Sequence, residues 1–238
     1  MHIVAITGLT TAPDAAAAAL ARALGTLPYD ERRKLAGGLP AVVLTSADAA
    51  RAEALAATLR GLGHQVIACA SEAVVPASEM VSLKRFALEP DALVAGDARL
   101  PWSDVAALVR AVERRRVETT TTVKEKKTDL VRAVVTGGLV RSKTTTREQT
   151  ARNDESEPVL YLFRKSGATP WILREQGTHY EALGARLAPT AAPNFVTTVA
   201  ELRARAPRAC YDERLVARRV ASPAELELLA HLVAWSLA

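Results

Sequence analysis

Residues 222–238, SPAELELLAHLVAWSLA, decide how the chain is assembled, since they predict a helix whose apolar side needs a partner. Ser222 is placed to cap this helix, Pro223 takes the first helical position, and Glu225 follows three residues after the cap. The apolar stripe consists of Leu226, Leu229, Val233 and Leu237. Because 17 residues are too few to span a bilayer, the helix should dock on its own chain or, alternatively, on a second subunit of a homo-oligomer.

A second strong pattern lies at residues 159–176, VLYLFRKSGATPWILREQ, which predict a β-hairpin. Two apolar runs flank Ser166-Gly167, a dipeptide typical of a tight turn. Strands are also predicted upstream, in MVSLKRFALEP (80–90) and DALVAG (91–96). Downstream, an amphipathic helix should begin near Asn194. Together these segments predict an antiparallel sheet closed by a helix.

Residues 99–123, RLPWSDVAALVRAVERRRVETTTTV, are ambiguous between helix and strand. Apolar residues within 105–112 fit a short helix, whereas the β-branched residues that follow favour a strand in the second half. The residues of one face would be Val117, Thr119, Thr121 and Val123, as in a half-buried strand. After an N-cap at Thr128 and a break at Gly137-Gly138, VRSKTTTREQT (140–150) predicts another strand.

The positive charge of the chain is concentrated in this part of the sequence. Residues 110–152 hold twelve Lys or Arg against five Asp or Glu, although the whole chain carries only +5. We call the following residues the basic ribbon: Arg114, Arg115, Arg116, Lys124, Lys126, Lys127, Arg141, Lys143 and Arg147. The ribbon is a candidate site for an anionic partner such as nucleic acid.

Composition favours a solvated sheet surface over a nucleic-acid site in the basic ribbon. Residues 111–158 contain no aromatic side chain on which a base would stack. Glutamates such as Glu118 and Glu125 also interrupt the positive field. We therefore expect a wetted sheet face and keep nucleic-acid binding as the alternative.

The first seventy residues predict a compact α/β sequence of elements. HIVAITGL (2–9) alternates like a strand, and a helix follows with Pro13 at its start, the alanine run 15–19 and Gly25 at its end. A second helix, a strand, a third helix and a last strand are predicted at 28–38, 40–46, 46–63 and 64–70. The apolar face of the third helix would hold Ala52, Leu55, Leu59 and Leu62.

Residues 3–70 resemble the C-terminal domain of the bacterial ribosomal stalk protein. LPYDERRKLAGGLP (27–40) matches the second helix of that family and its glycine-proline exit, and AEALAATLRGLGHQV (52–66) matches its third helix and last strand. In that family the first two helices form the face that receives translation factors. The resemblance implies a protein-binding face at Arg22, Tyr29, Glu31 and Arg33, although the lysine that the family carries in its first helix falls within the alanine run here.

Residues 79–208 are similar to bacterial pleckstrin-homology-like domains, through LPWSDV (100–105), the hairpin and the last helix. The resemblance implies a fold and no ligand. The predicted class is therefore α+β. The predicted domains are a stalk-like α/β sandwich at 1–72, a linker at 73–78, an antiparallel β-rich domain closed by a helix at 79–210, and a C-terminal docking helix at 222–238.

Familiar catalytic and cofactor motifs are missing from the sequence: it has no Gly-x-Gly-x-x-Gly, no Walker loop and no Gly-x-Ser-x-Gly. With only Cys69 and Cys210, neither a disulfide framework nor a thiolate zinc site is expected, and a reducing cytoplasm fits. His179, near Glu175 and Glu181, is the best single candidate for acid-base work, but a surface turn is the simpler interpretation.

These observations favour a cytoplasmic, noncatalytic adaptor or regulator that acts by binding another protein, with no cofactor, metal or membrane span. The alternative is a nucleic-acid or ribosome-associated protein that uses the basic ribbon. An enzyme is the third hypothesis.

Overall fold

The computed structural model describes the backbone of residues 1–127 and 143–237, with side chains for 1–114 and 156–237. The fold is mixed α+β, with antiparallel sheets and a C-terminal helix, which confirms the predicted class at this level. Two compact units are distinguished: Met1–Glu113 together with Glu157–Ala238, and Arg114–Ser156. The predicted cap at Thr128 and the predicted break at Gly137-Gly138 lie outside the described residues.

The N-terminal segment folds as a three-stranded antiparallel sheet with helices. Its elements are β1 (His2–Gly8), α1 (Pro13–Leu24), α2 (Pro28–Ala36), β2 (Ala41–Ser46), α3 (Ala49–Gly61) and β3 (Gln65–Ala70). The sheet order is β2-β1-β3, with β1 antiparallel to both neighbours. The order of elements predicted for residues 2–70 is confirmed. We call this sheet the first sheet.

Local signals set the helix boundaries here. Pro13 and Pro28 occupy the starts of α1 and α2, where the missing backbone N–H costs nothing. Gly25 follows α1 with φ 69°, a left-handed conformation that suits glycine. One expectation was wrong: Leu62 is exposed, because α3 ends at Gly61 and Leu62 therefore lies beyond the helical face.

The remaining strands form two further sheets. Their bounds are β4 (Val81–Ser82), β5 (Ala87–Leu88), β6 (Ala92–Ala95), β7 (Ala98–Pro101), β8 (Val105–Lys127), β9 (Lys143–Arg164), β10 (Trp171–Arg174) and β11 (Cys210–Leu215). The order is β5-β6-β7 in a small antiparallel sheet and β11-β8-β9-β10-β4 in a larger one, which we call the second sheet. The second sheet is mixed, because β4 pairs parallel with β10 and β11 pairs parallel with β8, so the prediction of a purely antiparallel sheet is wrong here. The strands predicted in 80–90 are present only as two short pieces.

The predicted hairpin at 159–176 is confirmed. β9 and β10 pair antiparallel, with Leu162 opposite Trp171 and Leu160 opposite Leu173. Gly167, in the turn, has φ 70°. Glycine suits this left-handed conformation because it has no Cβ atom.

A short helix within residues 105–112 was a wrong expectation, because β8 begins at Val105. Ala107, Val109 and Ala111 are buried on one side of β8, and Leu108 packs on the other. A strand that is buried on both faces carries a near-continuous apolar run, which periodicity does not separate from a helix. The expected strand over the second half of the 99–123 segment is confirmed in the backbone.

The closing helix α4 (Ala191–Arg205) packs on one face of the second sheet. Phe195 and Leu202 of α4 share an apolar cluster with Leu160, Leu162 and Trp171. The helix begins three residues before Asn194, whose side-chain oxygen accepts from the backbone N–H of Ala188 at 2.7 Å. A helix closing the sheet is therefore confirmed.

The C-terminal helix α5 (Pro223–Leu237) has the predicted capping residues in place. The backbone N–H of Glu225 donates to Ser222 Oγ at 3.2 Å, and the Glu225 carboxylate accepts from the N–H of Ala221 at 2.7 Å. The buried residues of α5 are Leu226, Leu229, Ala230, His231, Leu232, Val233 and Ala234. Because six of them are consecutive, this part of the helix is buried on every side. The apolar stripe predicted from the sequence covers only one of these sides.

α5 lies between the first and the second sheet. Its apolar cluster includes Ala5, Val42 and Ile67 from the first sheet, and Val159 and Leu215 from the second. The other face of the first sheet, with Val4 and Ile6, packs on helices α1, α2 and α3. Docking of the C-terminal helix within its own chain, one of the two predicted alternatives, is confirmed. Across the described residues, no helix has both the length and the apolar character that a membrane crossing requires.

His231 fixes α5 to the segment that follows β3. Its Nε2 accepts from the backbone N–H of Val75 at 3.2 Å, and Nδ1 lies 2.8 Å from the carbonyl oxygen of Glu227. The imidazole is therefore neutral with its proton on Nδ1. Edge contacts with the rings of Phe163 and Trp235 complete its surroundings, and burial lowers the pKa of His231.

Shortening Leu229 should destabilise the whole described fold, because its side chain is 1% exposed. We expect Leu229→Ala to lower the free energy of unfolding by about 2–5 kcal/mol, measured by urea denaturation. The matched control is Leu187→Ala, at a leucine that is 49% exposed, where the change should stay within about 0.5 kcal/mol. Equal effects of the two substitutions would contradict the burial of α5.

The contribution of His231 to the stability of the fold should fall as the pH drops from 7 to 5. Because the pKa of His231 is lower in the folded state, the unfolded chain binds a proton at His231 below about pH 6.5, whereas the folded chain does not. Acid therefore favours the unfolded state at this residue. The slope from one such group is at most about 1.4 kcal/mol per pH unit. Burial raises the pKa of nearby Glu227, which acts in the opposite direction.

The contribution of His231 is therefore isolated by comparing the wild type with His231→Gln in urea titrations across this pH range. We expect the variant to be less stable at pH 7 and to lose less stability on acidification. Identical pH profiles for the two proteins would show that His231 does not titrate with unfolding.

Candidate functional site

Two large apolar side chains, two residues apart in the chain, are exposed where α2 begins. Leu27 is 67% exposed and Tyr29 is 68% exposed. Arg22, in the last turn of α1, and Arg33, one helical turn after Tyr29, are also exposed. We call Arg22, Leu27, Tyr29 and Arg33 the α1–α2 surface.

The charge of this region is incompletely neutralised. Arg32 Nε lies 3.0 Å from Asp14 Oδ1, so the positive charge of Arg32 is neutralised by an ion pair. Among the described residues, neither Arg22 nor Arg33 has a carboxylate partner, and Asp30 is the one exposed acid beside them on α2. The surface therefore combines an apolar centre with a positive edge.

Glu31 does not belong to the exposed surface, although the sequence placed it there. Its carboxylate is fully buried, and Oε1 accepts from Thr26 Oγ1 at 2.9 Å and from Lys34 Nζ at 2.8 Å. Lys34 also donates to the carbonyl oxygen of Val43 in β2. Glu31 thus holds the α1–α2 turn against the first sheet, and no partner reaches it in this conformation.

The basic ribbon is placed on the two longest strands. Its members in β8 are Arg114, Arg115, Arg116, Lys124, Lys126 and Lys127, and those in β9 are Lys143 and Arg147. Arg141 lies outside the described residues. β8 and β9 are hydrogen-bonded neighbours in the second sheet, so the backbone brings the two basic segments together.

One arginine, Arg174, connects β8, β9 and β10 through ion pairs. Arg174 of β10 donates to Glu113 of β8 and, at 3.3 Å, to Glu157 of β9. Burial acts to lower the pKa of Arg174, but the hydrogen bond and the negative charges of these two glutamates together outweigh it and raise the pKa. One guanidinium thus holds a carboxylate from each of two strands, so the cluster fixes the positions of the three strands.

A positively charged cleft of about 450 Å³ lies beside the small sheet. Its lining consists of Ser82, Lys84, Arg85, Ala95, Gly96, Gly177 and His179, and we call it the cationic cleft. The backbone N–H of His179 donates to the carbonyl oxygen of Lys84 at 2.7 Å, and a β-bridge pairs His179 with Arg85. These two contacts bring three basic residues from distant parts of the sequence to one place.

His179 does not form the acid-base pair that its neighbours in sequence suggested. Neither Glu175 nor Glu181 lines the cationic cleft or bonds to the His179 ring. Sequence reasoning missed Lys84 and Arg85; the available signal was a pair of adjacent cations inside an otherwise apolar β-rich segment.

A second cleft, of about 390 Å³, lies where α4 ends and β11 begins. Its walls are mainly alanine and proline, with Arg203 and Tyr211 as the larger side chains. The Arg203 guanidinium lies 3.9 Å from the centre of the Tyr211 ring, so the two side chains already satisfy each other through a cation–π contact.

Among the described residues, no three His, Cys, Asp or Glu side chains converge as metal ligands. Comparison of the chain with protein-family models, with curated proteins and with solved structures gives no match. Any function must therefore be argued from the surfaces described above.

Proposed function

We propose that this protein is a noncatalytic adaptor or regulator that binds another protein through the α1–α2 surface. The single observation that carries the proposal is the exposure of Leu27 and Tyr29, each about two-thirds exposed, at one turn. Aromatic and arginine side chains are the residue types that contribute most to protein–protein binding. Here Tyr29 lies between Arg22 and Arg33 in the chain, which gives an anchor with charged neighbours.

The partner we propose is an acidic protein segment with an apolar side chain at its centre. The two unmatched cations, Arg22 and Arg33, would pair with its carboxylates at the edge of the contact. Leu27 and Tyr29 would exclude water from the middle.

The resemblance of residues 3–70 to the ribosomal stalk domain supports this choice of surface. In that family the first two helices receive the partner proteins, and Arg22, Tyr29 and Arg33 occupy the matching positions. We propose the stalk-like domain at 1–72 and the pleckstrin-homology-like domain at 79–210 as the finer description of the fold, and cytoplasm as the location.

A binding role also agrees with the surroundings of the histidines. Among the described residues, no histidine ring hydrogen-bonds to a carboxylate. The ring of His64 hydrogen-bonds to the hydroxyl of Thr10, and the ring of His231 hydrogen-bonds to backbone groups. General-base catalysis by histidine usually needs a group that orients the ring.

A photo-crosslinking amino acid at position 29 tests the proposal directly. We expect p-benzoylphenylalanine in place of Tyr29 to give a discrete crosslinked protein in the native cytoplasm, because this side chain is exposed at the proposed contact. The same group in place of Val196, which is 55% exposed on α4, is the matched control and should give no such product.

The charge reversal Arg22→Glu with Arg33→Glu should reduce the crosslink from position 29, since it repels an acidic partner. Labelling that is equal at positions 29 and 196, or that is unaffected by charge reversal, would contradict the proposed surface.

The second candidate function is nucleic-acid binding by the basic ribbon. The observation that favours it is the neighbouring position of β8 and β9, which carry eight of its nine residues. A paired β-ribbon is one of the elements that proteins place in a nucleic-acid groove.

An electrophoretic mobility shift with duplex DNA decides between the two functions. For an adaptor we expect no retarded complex, even at about 50 mM salt, where phosphate contacts are strongest. The comparison protein is Lys124→Gln/Lys126→Gln/Lys127→Gln. A wild-type complex that weakens steeply with added salt, and that the triple variant does not form, would establish the second candidate instead.

A further inference from the structure

The cationic cleft has charged groups that nothing else in the described structure uses. Lys84, Arg85 and His179 are exposed, and none of their side chains has a hydrogen-bond or ion-pair partner among the described residues. Within the part of the chain that the structure describes, no carboxylate lines the cleft. By contrast, Arg164 and Arg174, elsewhere on the second sheet, are each paired with carboxylates.

Placing like charges next to one another costs free energy unless an anion offsets the repulsion. The backbone positions of Lys84, Arg85 and His179 are fixed relative to one another by the 2.7 Å hydrogen bond from the N–H of His179 to the carbonyl oxygen of Lys84 and by the bridge to Arg85. Flexible side chains on a fixed backbone converge on a ligand at lower entropic cost than side chains on a mobile loop.

Two glycines with positive φ line the cleft. Gly96 has φ 58° and Gly177 has φ 74°, a region that side-chain-bearing residues rarely adopt. A Cβ atom at either position would meet no atom within 4 Å, so the space beside both glycines is unoccupied by protein. At these two positions the lining of the cleft is therefore backbone alone.

We propose that the cationic cleft binds a phosphate group. An ammonium, a guanidinium and an imidazole are the donors that phosphate oxygens accept most strongly. The volume of about 450 Å³ falls within the range of small-molecule sites, roughly 300–1,000 Å³, so a phosphorylated solute fits. This site is separate from the α1–α2 surface and does not rest on the proposed function.

The test is a titration of the ¹⁵N-labelled protein with inorganic phosphate, followed by NMR at constant ionic strength. We expect saturable shifts of the amide signals of Gly96, Gly177 and His179. Acetate is the comparison anion; with one negative charge and fewer acceptor oxygens, it should bind more weakly.

The variant Lys84→Ala/Arg85→Ala should weaken phosphate binding about tenfold or more, because two charge-assisted hydrogen bonds are lost. Arg51→Ala/Arg208→Ala removes the same net charge at exposed positions outside the cleft and should leave the dissociation constant within about twofold. Both variants replace exposed side chains, so both should keep the wild-type melting temperature.

The proposal is overturned by any of three results: no saturable shift, equal affinity for acetate and phosphate, or equal loss of affinity in the two variants. The source of the phosphate group is then separated with glycerol phosphate and a phosphoserine peptide. Tighter binding of the first would identify a small solute, and tighter binding of the second a phosphorylated side chain.

Discussion

Burial of α5 between two sheets is the constraint on which the described fold depends. The first sheet has helices α1, α2 and α3 on one face only, and its other face would expose Ala5, Val42 and Ile67 without α5. In the second sheet, the face that carries Val159 and Leu215 is likewise covered by α5. α5 covers both of these faces. The last helix of the chain therefore completes an apolar core to which the first strand, β1, also contributes.

Local signals made much of the fold predictable. Prolines at the starts of α1 and α2, the left-handed Gly25 and the Ser222 cap act within a few residues, and each was correctly placed. The hairpin of β9 and β10 was predictable for the same reason. Long-range burial was not: residues 105–112 form a strand because packing on both faces outweighs the helical spacing of their apolar side chains.

The α5 stripe shows the same limit. The spacing of Leu229 and Val233 predicts one apolar face, and the polar residue His231 argues against a helix that is buried on all sides. In the fold, His231 is buried because Val75, 156 residues earlier in the chain, supplies a hydrogen-bond donor to it. A polar residue is tolerated in a core where its partners are present, and sequence alone does not show them.

The candidate sites divide along similar lines. Arg22, Tyr29 and Arg33 were predicted from the resemblance of residues 3–70 to the stalk domain, whereas the burial of Glu31 depends on Thr26 and Lys34, which only the folded turn brings to it. The cationic cleft combines residues from 84–85 with His179, almost a hundred positions apart. The proposed α1–α2 contact is apolar at its centre, whereas the cleft is lined by Lys84, Arg85 and His179, so the two would bind chemically different ligands.

The most direct test of the central claim is native-state hydrogen exchange, comparing β1 with β9 in the wild type and in Leu232→Ala. If α5 joins both sheets into one core, the amides of Val4 and Leu160 share one opening free energy. The substitution, at a fully buried leucine, then lowers both values equally. A lower value in one sheet alone, with the other unchanged, would show that the sheets are stabilised independently and would contradict the account.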